Sequence, residues 1–241
     1  MSAAPPHRYA FAASPCGGVE LALGAARVVM RPSGALWLAA ERALVVADLH
    51  LEKGSAFAAR GQMLPPYDTR ETLARLAAEA AALRPRLIVL LGDSFHDGGG
   101  EDRLDGSDAE ALSALAAVCE LVWVVGNHDR EGPRRLPGRV ESMLAVAGLS
   151  LGHQPTDGCR AGEVAGHLHP CARVRGRTGS VRRRCFVTDG ERIVLPAFGA
   201  YAGGLNVLDR AFAGLFAGRP IAAALGRGRL HALALESLSA D

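Results

Sequence analysis

Six of the eight histidines in this chain stand beside Gly, Asp or Asn just after apolar runs. They are His50, His96, His128, His153, His167 and His169; His7 and His231 fall elsewhere. Five segments carry the pattern: Asp48-Leu49-His50, Gly92-Asp93, Gly126-Asn127-His128-Asp129, Gly152-His153 and Gly166-His167-Leu168-His169. Each alone is ordinary, since a histidine after a strand is commonly a satisfied polar side chain and Gly-Asp a turn. Five in succession make a donor set. Imidazole with carboxylate suits Mn, Fe, Co, Ni or Zn, whereas Ca and Mg prefer oxygen alone. Two cations roughly 3.5–4 Å apart need a bridging carboxylate and clamp the attacking and leaving oxygens of a displacement. In an extended segment residues two apart face one side. Asp48 and His50 can then reach one ion, and His167 and His169 can flank two.

Such residues need rigid supports, and the apolar runs supply them. Ala43–Ala47 (ALVVA), Leu87–Leu91 (LIVLL) and residues 121–125 (LVWVV) read as strands buried on both faces, each ending at a motif. Residues 51–66, with Gly54, Gly61, Pro65 and Pro66, read as loop. Asp68 and Glu71 read as an N-cap with its acidic partner. Leu73, Leu76, Ala77, Ala80 and Leu83 follow at helical spacing up to Pro85. Residues 94–106 read as a second loop, and Ser107 with Glu110 as a second capping box. Ligands of open α/β sheets sit at the C-terminal ends of strands, where the motifs lie. Further strands are expected at 19–30, 35–39, 149–152, 164–166, 172–177, 181–187, 192–195 and 230–235, with a short helix over 207–216. The expectation is one α/β domain over residues 19–241, behind a flexible Ala/Pro-rich tail over residues 1–18.

Composition bounds the function. A chain of 241 residues, 49% hydrophobic, can bury a sizeable core. Its 27 basic and 25 acidic residues leave a net charge of +2, which excludes a disordered chain and lacks the strong basic footprint of a dedicated nucleic-acid binder. Every basic residue except Lys53 is arginine. No apolar run is long enough to span a membrane, and the N-terminus lacks the basic-then-apolar order of a signal peptide. Five cysteines, an odd number with no C-x-x-C pair, argue against a disulfide framework and a zinc ribbon, so the cytosol is the expected compartment.

The five segments resemble the pattern of the calcineurin-like metallophosphoesterases: D-x-H, G-D, G-N-H-D/E, H and G-H-x-H. That resemblance implies an α/β fold in four layers, two mixed β-sheets sandwiched by helices. It also implies roles. Asp48, His50 and His169 would bind a first metal, Asp93 would bridge, and Asn127, His153 and His167 would bind a second. His128 would face the substrate and protonate the leaving oxygen, with Asp129 orienting its ring. A metal-bridging hydroxide would be the nucleophile. Manganese is the expected metal, with Fe, Zn, Co and Ni also compatible.

Residues 48–66 (DLHLEKGSAFAARGQMLPP), the G-D-x-x-H-D form of residues 92–97, and Arg130 after G-N-H-D are similar to the bacterial ligase-associated DNA-damage-response endonuclease family. This implies a DNA phosphodiesterase or endonuclease in repair, associated with a DNA ligase and a helicase, and a homodimer as in many superfamily members. His96 and Asp97 read as substrate contacts or as loop-internal hydrogen bonds. Arg173, Arg175 and Arg177 alternate on one expected strand, with Arg182 to Arg184 across a turn and Arg134-Arg135 after the G-N-H-D loop. They fit a patch tracking a phosphate backbone, and equally a solvated arginine face. Aromatics, at 5%, are too few for an extended base-stacking platform. Two other readings stand beside this one. One is a small-molecule or nucleotide phosphatase or phosphodiesterase. The other is a non-catalytic scaffold, which missing ligands would signal, and all seven ligand positions are filled.

Overall fold

The computed structural model describes residues 11–176 and 179–241. Of the segment expected as a tail, residues 1–10 lie outside the described residues. Within the rest of it, β1 (Ala12–Ala13) pairs antiparallel with β2 (Val19–Leu23). An antiparallel meander continues through β3 (Ala26–Met30) and β4 (Leu36–Leu38) to β5 (Ala43–Ala47). Helices α1 (Lys53–Ala58) and α2 (Asp68–Leu83) lead to β6 (Leu87–Leu91). Helices α3 (Gly100–Arg103) and α4 (Gly106–Val118) lead to β7 (Glu120–Val124), followed by β8 (Arg139–Glu141). Strands β5 to β8 are parallel, which completes an eight-stranded mixed sheet in chain order.

The second sheet is built from β9 (Leu144–Val146), β10 (Leu149–Gly152), β11 (Glu163–Ala165), β12 (Pro170–Gly176), β13 (Gly179–Thr188), β14 (Arg192–Val194), β15 (Leu205–Asn206), β16 (Ile221–Leu225) and β17 (Leu230–Ala234). Its order is β15-β12-β13-β14-β11-β10-β9, with β16 and β17 joined through β13.

Strand alternation explains the apolar runs. Val45, Ala47, Val89, Leu91 and Val122 face the second sheet's Leu151, Val164, Phe186 and Ile193. Their neighbours Leu44, Val46, Ile88, Leu90 and Trp123 point the other way, onto Leu73 and Leu76 of α2 and Leu112 and Leu115 of α4. Both faces are therefore dry, and each buried Val, Leu or Ile contributes about 1.5–3 kcal/mol. Two mixed sheets thus pack face to face, as expected, with a helical layer on the first.

The outer face of the second sheet has a different cover. Val187, Val194, Ala222 and Ala224 lie under Val207, Phe212 and Leu215. The helix expected over 207–216 is only a 3-10 turn, Arg210–Phe212. The Asp209 carboxylate accepts the Ala211 N–H at 2.9 Å, and Gly214 turns the chain at φ 75°. Three local expectations also shift. The loop expected over 51–66 contains α1. Asp68 is the first residue of α2 rather than its cap, because its carboxylate accepts the Gly54 N–H at 3.0 Å across to α1. Helix α4 is capped by Asp105, which accepts from Ser107 N at 2.9 Å.

One buried ion pair stitches this second sheet to its loops. Arg192 on β14 lies beside Glu163 on β11, with Nε 2.8 Å from Oε2 and side chains 1% and 5% exposed. Arg192 also donates to the carbonyls of Leu215 at 2.7 Å and Thr156 at 3.0 Å. The Thr156 hydroxyl donates to Glu163 Oε1 at 2.7 Å. Glu163→Ala strands a buried guanidinium, so we expect a loss of about 3–5 kcal/mol. For a domain of this size that is a melting-temperature drop of roughly 6–20 °C. The double replacement Glu163→Leu with Arg192→Met is expected to recover most of it. A shift of only a degree or two in the single variant would mean the pair contributes little.

Candidate metal centre

The motifs leave their strands on turned backbone. Asp48 (φ 54°), His50 (φ 44°), Asp93 (φ 45°), His167 (φ 68°) and His169 (φ 46°) are all left-handed. The sharing of a side by Asp48 and His50, expected from extended backbone, has a different cause: two successive kinks. Each such residue costs on the order of 1–3 kcal/mol, and such strain clusters at functional sites. Cross-loop bonds hold it in place. Asp48 N–H donates to Gly92 O at 3.2 Å and His50 N–H to Asp93 O at 2.9 Å. His167 N–H donates to the Asp48 carboxylate at 2.9 Å.

The motif glycines are spaces for side chains. A Cβ on Gly92 would lie 2.1 Å from His153 Nδ1, and one on Gly126 2.1 Å from Asp93 Oδ1. One on Gly166 would lie 2.6 Å from Asp48 Oδ2. No other residue lets these three carboxylate and imidazole groups approach so closely.

Two donor clusters result. In the first, His50 Nε2 is 3.2 Å from His169 Nε2, which is 3.4 Å from Asp48 Oδ1. In the second, His153 Nε2 lies 3.0 Å from Asn127 Oδ1, 3.1 Å from His167 Nδ1 and 3.4 Å from Asp93 Oδ2. Asp93 Oδ2 is also 3.9 Å from His50 Nε2, so this carboxylate stands between the clusters. All seven expected ligands are thus brought together. Ring nitrogens facing each other can share one proton at most, and the remaining lone pairs need a cation. Burial, then the neighbouring His169, pushes the His50 imidazole down to about 3, so it stays neutral, the form that ligates metals. The donor set therefore fits two divalent cations.

His128 stands at the rim with its side chain 40% exposed. Its Nδ1–H donates to the His96 carbonyl at 2.7 Å, and its Nε2 faces Asp93 Oδ2 at 3.9 Å. The expected partner was Asp129, and the structure corrects this. Asp129 is buried and accepts the backbone N–H groups of Ser94 (2.7 Å), Phe95 (3.1 Å) and Gly126 (2.9 Å). It clamps the G-D loop to the G-N-H-D loop and does not touch the imidazole. The orienting group, a backbone carbonyl, carries no side-chain signature that sequence reasoning could find. Burial, reinforced by the Asp93 charge, pushes the Asp129 carboxyl up to about 6 against those three amides.

His96 and Asp97 part ways. Asp97 makes loop-internal bonds, accepting from Arg103 Nη2 at 2.7 Å and Gly99 N at 3.0 Å. The His96 ring lies beside His50 and His128, and its Nδ1 has no partner. Arg173 and Arg175 share β12, and Arg177 lies outside the described residues. The rest of the arginine cluster is largely committed. Arg134 pairs with Glu131, Arg135 with Asp102 and Arg182 with Asp241. Arg184 turns inward to the carbonyls of Ala197, Ala200 and Ala202. Arg130 is exposed.

A double sheet with imidazole–carboxylate clusters at its strand ends is the framework of a metal-dependent hydrolase. Residues 41–184, more than half the chain, match the calcineurin-like phosphoesterase family. The chain belongs to that family and is a hydrolase of phosphoester bonds. Among solved structures, the Pseudomonas putida nuclease MPE is similar over 90% of this chain and 100% of that one, at 24% identity and a TM-score of 0.67. The E. coli phosphoesterase Yfce matches over 80% and 98%, at 16% identity and a TM-score of 0.40. A search of curated proteins found no match.

Proposed function

We propose that this chain is a two-metal phosphodiesterase that cleaves DNA in repair, with manganese as its metal. The observation that carries the reading is the position of Asp93 between two complete donor clusters. Asp48, His50 and His169 would hold one ion, Asn127, His153 and His167 the other, and Asp93 would serve both. Two cations there would supply Lewis-acid activation of water and of the phosphate oxygens.

The chain's own residues do the rest. His128, fixed by the His96 carbonyl, presents Nε2 to the substrate and gives a proton to the departing oxygen. Its backbone N–H donates to Asp93 Oδ1 at 2.9 Å, which keeps acid and bridge in register. Asp129 is a positioning residue, since it holds the two loops that carry Asp93 and His128. The His96 ring stands beside His50 and His128, and its buried Nδ1 has no partner, so His96 is a further candidate contact for the substrate.

A DNA substrate is supported by the resemblance of residues 48–66 and 92–97 to the ligase-associated endonucleases, and by the nuclease activity named for the Pseudomonas putida relative. The same resemblance supports action beside a DNA ligase and a helicase, and a homodimer. None of the five cysteines is in a disulfide, which suits a cytosolic protein. No helix among the described residues is long and apolar enough to cross a membrane.

A substrate panel tests the reading: single-stranded DNA, duplex DNA, RNA, nucleotides and bis-p-nitrophenyl phosphate, each with Mn, Mg and Zn. The expected result is DNA cleavage that is fastest with Mn. Hydrolysis of nucleotides with DNA left intact under the same metal would overturn the DNA assignment.

A further inference from the structure

A cleft of about 400 Å³ opens beside His128. It shares Asn127 and His128 with the metal centre and is lined beyond them by Phe95, Gly98 and Arg130. A volume of this order suits a small organic ligand. The cleft also carries five carboxylates, and all are already engaged, Asp129 by the three backbone amides of its loop clamp. Asp97 accepts from Arg103, Asp102 from Arg135 and Glu131 from Arg134. Glu101 accepts the backbone N–H groups of Arg134, Arg135 and Leu136. Arg103, Arg135 and Arg134 thus offset the charge of three of the five. Arg130 differs from its neighbours. It is exposed and makes no hydrogen bond or ion pair with any described residue.

We propose that this cleft receives the nucleoside on the leaving-oxygen side of the phosphodiester, and that Arg130 holds the next phosphate along the strand. The inference rests on the phosphodiesterase reading, because His128, the proton donor to the leaving oxygen, stands at the entrance. Whatever is attached to that oxygen must extend past His128. The cleft is the space there, and Arg130 in its lining is a cation free to take a phosphate by charge-assisted hydrogen bonds. The ligand class is a nucleoside with phosphate on both its 3′ and 5′ oxygens.

Calorimetric titration of thymidine 3′,5′-bisphosphate and of the two thymidine monophosphates tests this without any turnover. The bisphosphate is expected to bind about tenfold tighter than either monophosphate, since one charge-assisted contact is worth about that factor. Arg130→Ala is expected to bring the bisphosphate down to the monophosphate level. Gly98→Phe is expected to weaken bisphosphate binding about tenfold by filling the cleft. A Cβ at Gly98 meets nothing within 4 Å, so the new side chain starts in open space, and an unchanged melting temperature is the check that the fold is kept. Equal affinities in the wild type, or a bisphosphate advantage that survives Arg130→Ala, would overturn the proposal. If the binding contrast holds while the substrate panel shows no diester cleavage, the phosphodiesterase reading falls and the binding site stands.

Discussion

Replacing Asp93 with asparagine is expected to lower diester hydrolysis by about 10³-fold or more, because in the proposed centre one buried group would serve both cations. Asp93 is 2% exposed. Burial alone would raise its carboxyl, but the His153 hydrogen bond and charge, the His128 amide and His50 outweigh it and hold it at about 2. It is therefore an anion at any working pH. Asparagine keeps the shape and can still accept the His128 N–H, so the loops stay in place while the bridging charge is gone. Metal content measured by elemental analysis should fall from two ions per chain toward one or none. A variant that keeps its metals and a tenth of its activity would show that Asp93 is not the bridge.

The second large effect is at His128. His128→Ala is expected to lower kcat by about 10²–10⁴-fold, the range of a general acid. Metal content should hold, since His128 lies outside both proposed ligand sets. The size of the loss should track the basicity of the leaving oxygen. A deoxyribose alkoxide needs the proton far more than p-nitrophenolate does, so DNA cleavage should suffer more than bis-p-nitrophenyl phosphate hydrolysis. Equal losses on both substrates would assign His128 to phosphate binding instead of proton transfer.

Much of this molecule is legible in its sequence where burial is extreme. ALVVA, LIVLL and LVWVV are apolar at every position because a sheet and a helical layer dry both faces. The donor set is legible because it recurs after those runs. Other parts are set by contacts that leave no local pattern. Ile221–Leu225 is a strand written mostly in alanine, a weak strand former, and is held by β13 and β17. Helix α1 hides behind Gly54, which is glycine because a Cβ would lie 2.8 Å from Asp68 Oδ1. Asp129 stands where an imidazole partner is expected, yet its partners are backbone amides, one close in sequence and two more than thirty residues away. Spacing showed that Asp48 and His50 belong together, but not that left-handed backbone is what joins them.

The donor clusters also bear on how the molecule comes apart. Asp48, His50, Asp93 and Asn127 follow strands of one sheet, and His153, His167 and His169 follow strands of the other. His50 meets His169 across 119 residues of chain. Closing a loop of that length costs entropy that grows only slowly with length. In the proposed centre, ions held at both ends would act as a clasp on it. The sheets of a chain loaded in this way could not separate without giving up metal, so the proposed donor set would also fasten the two halves of the fold.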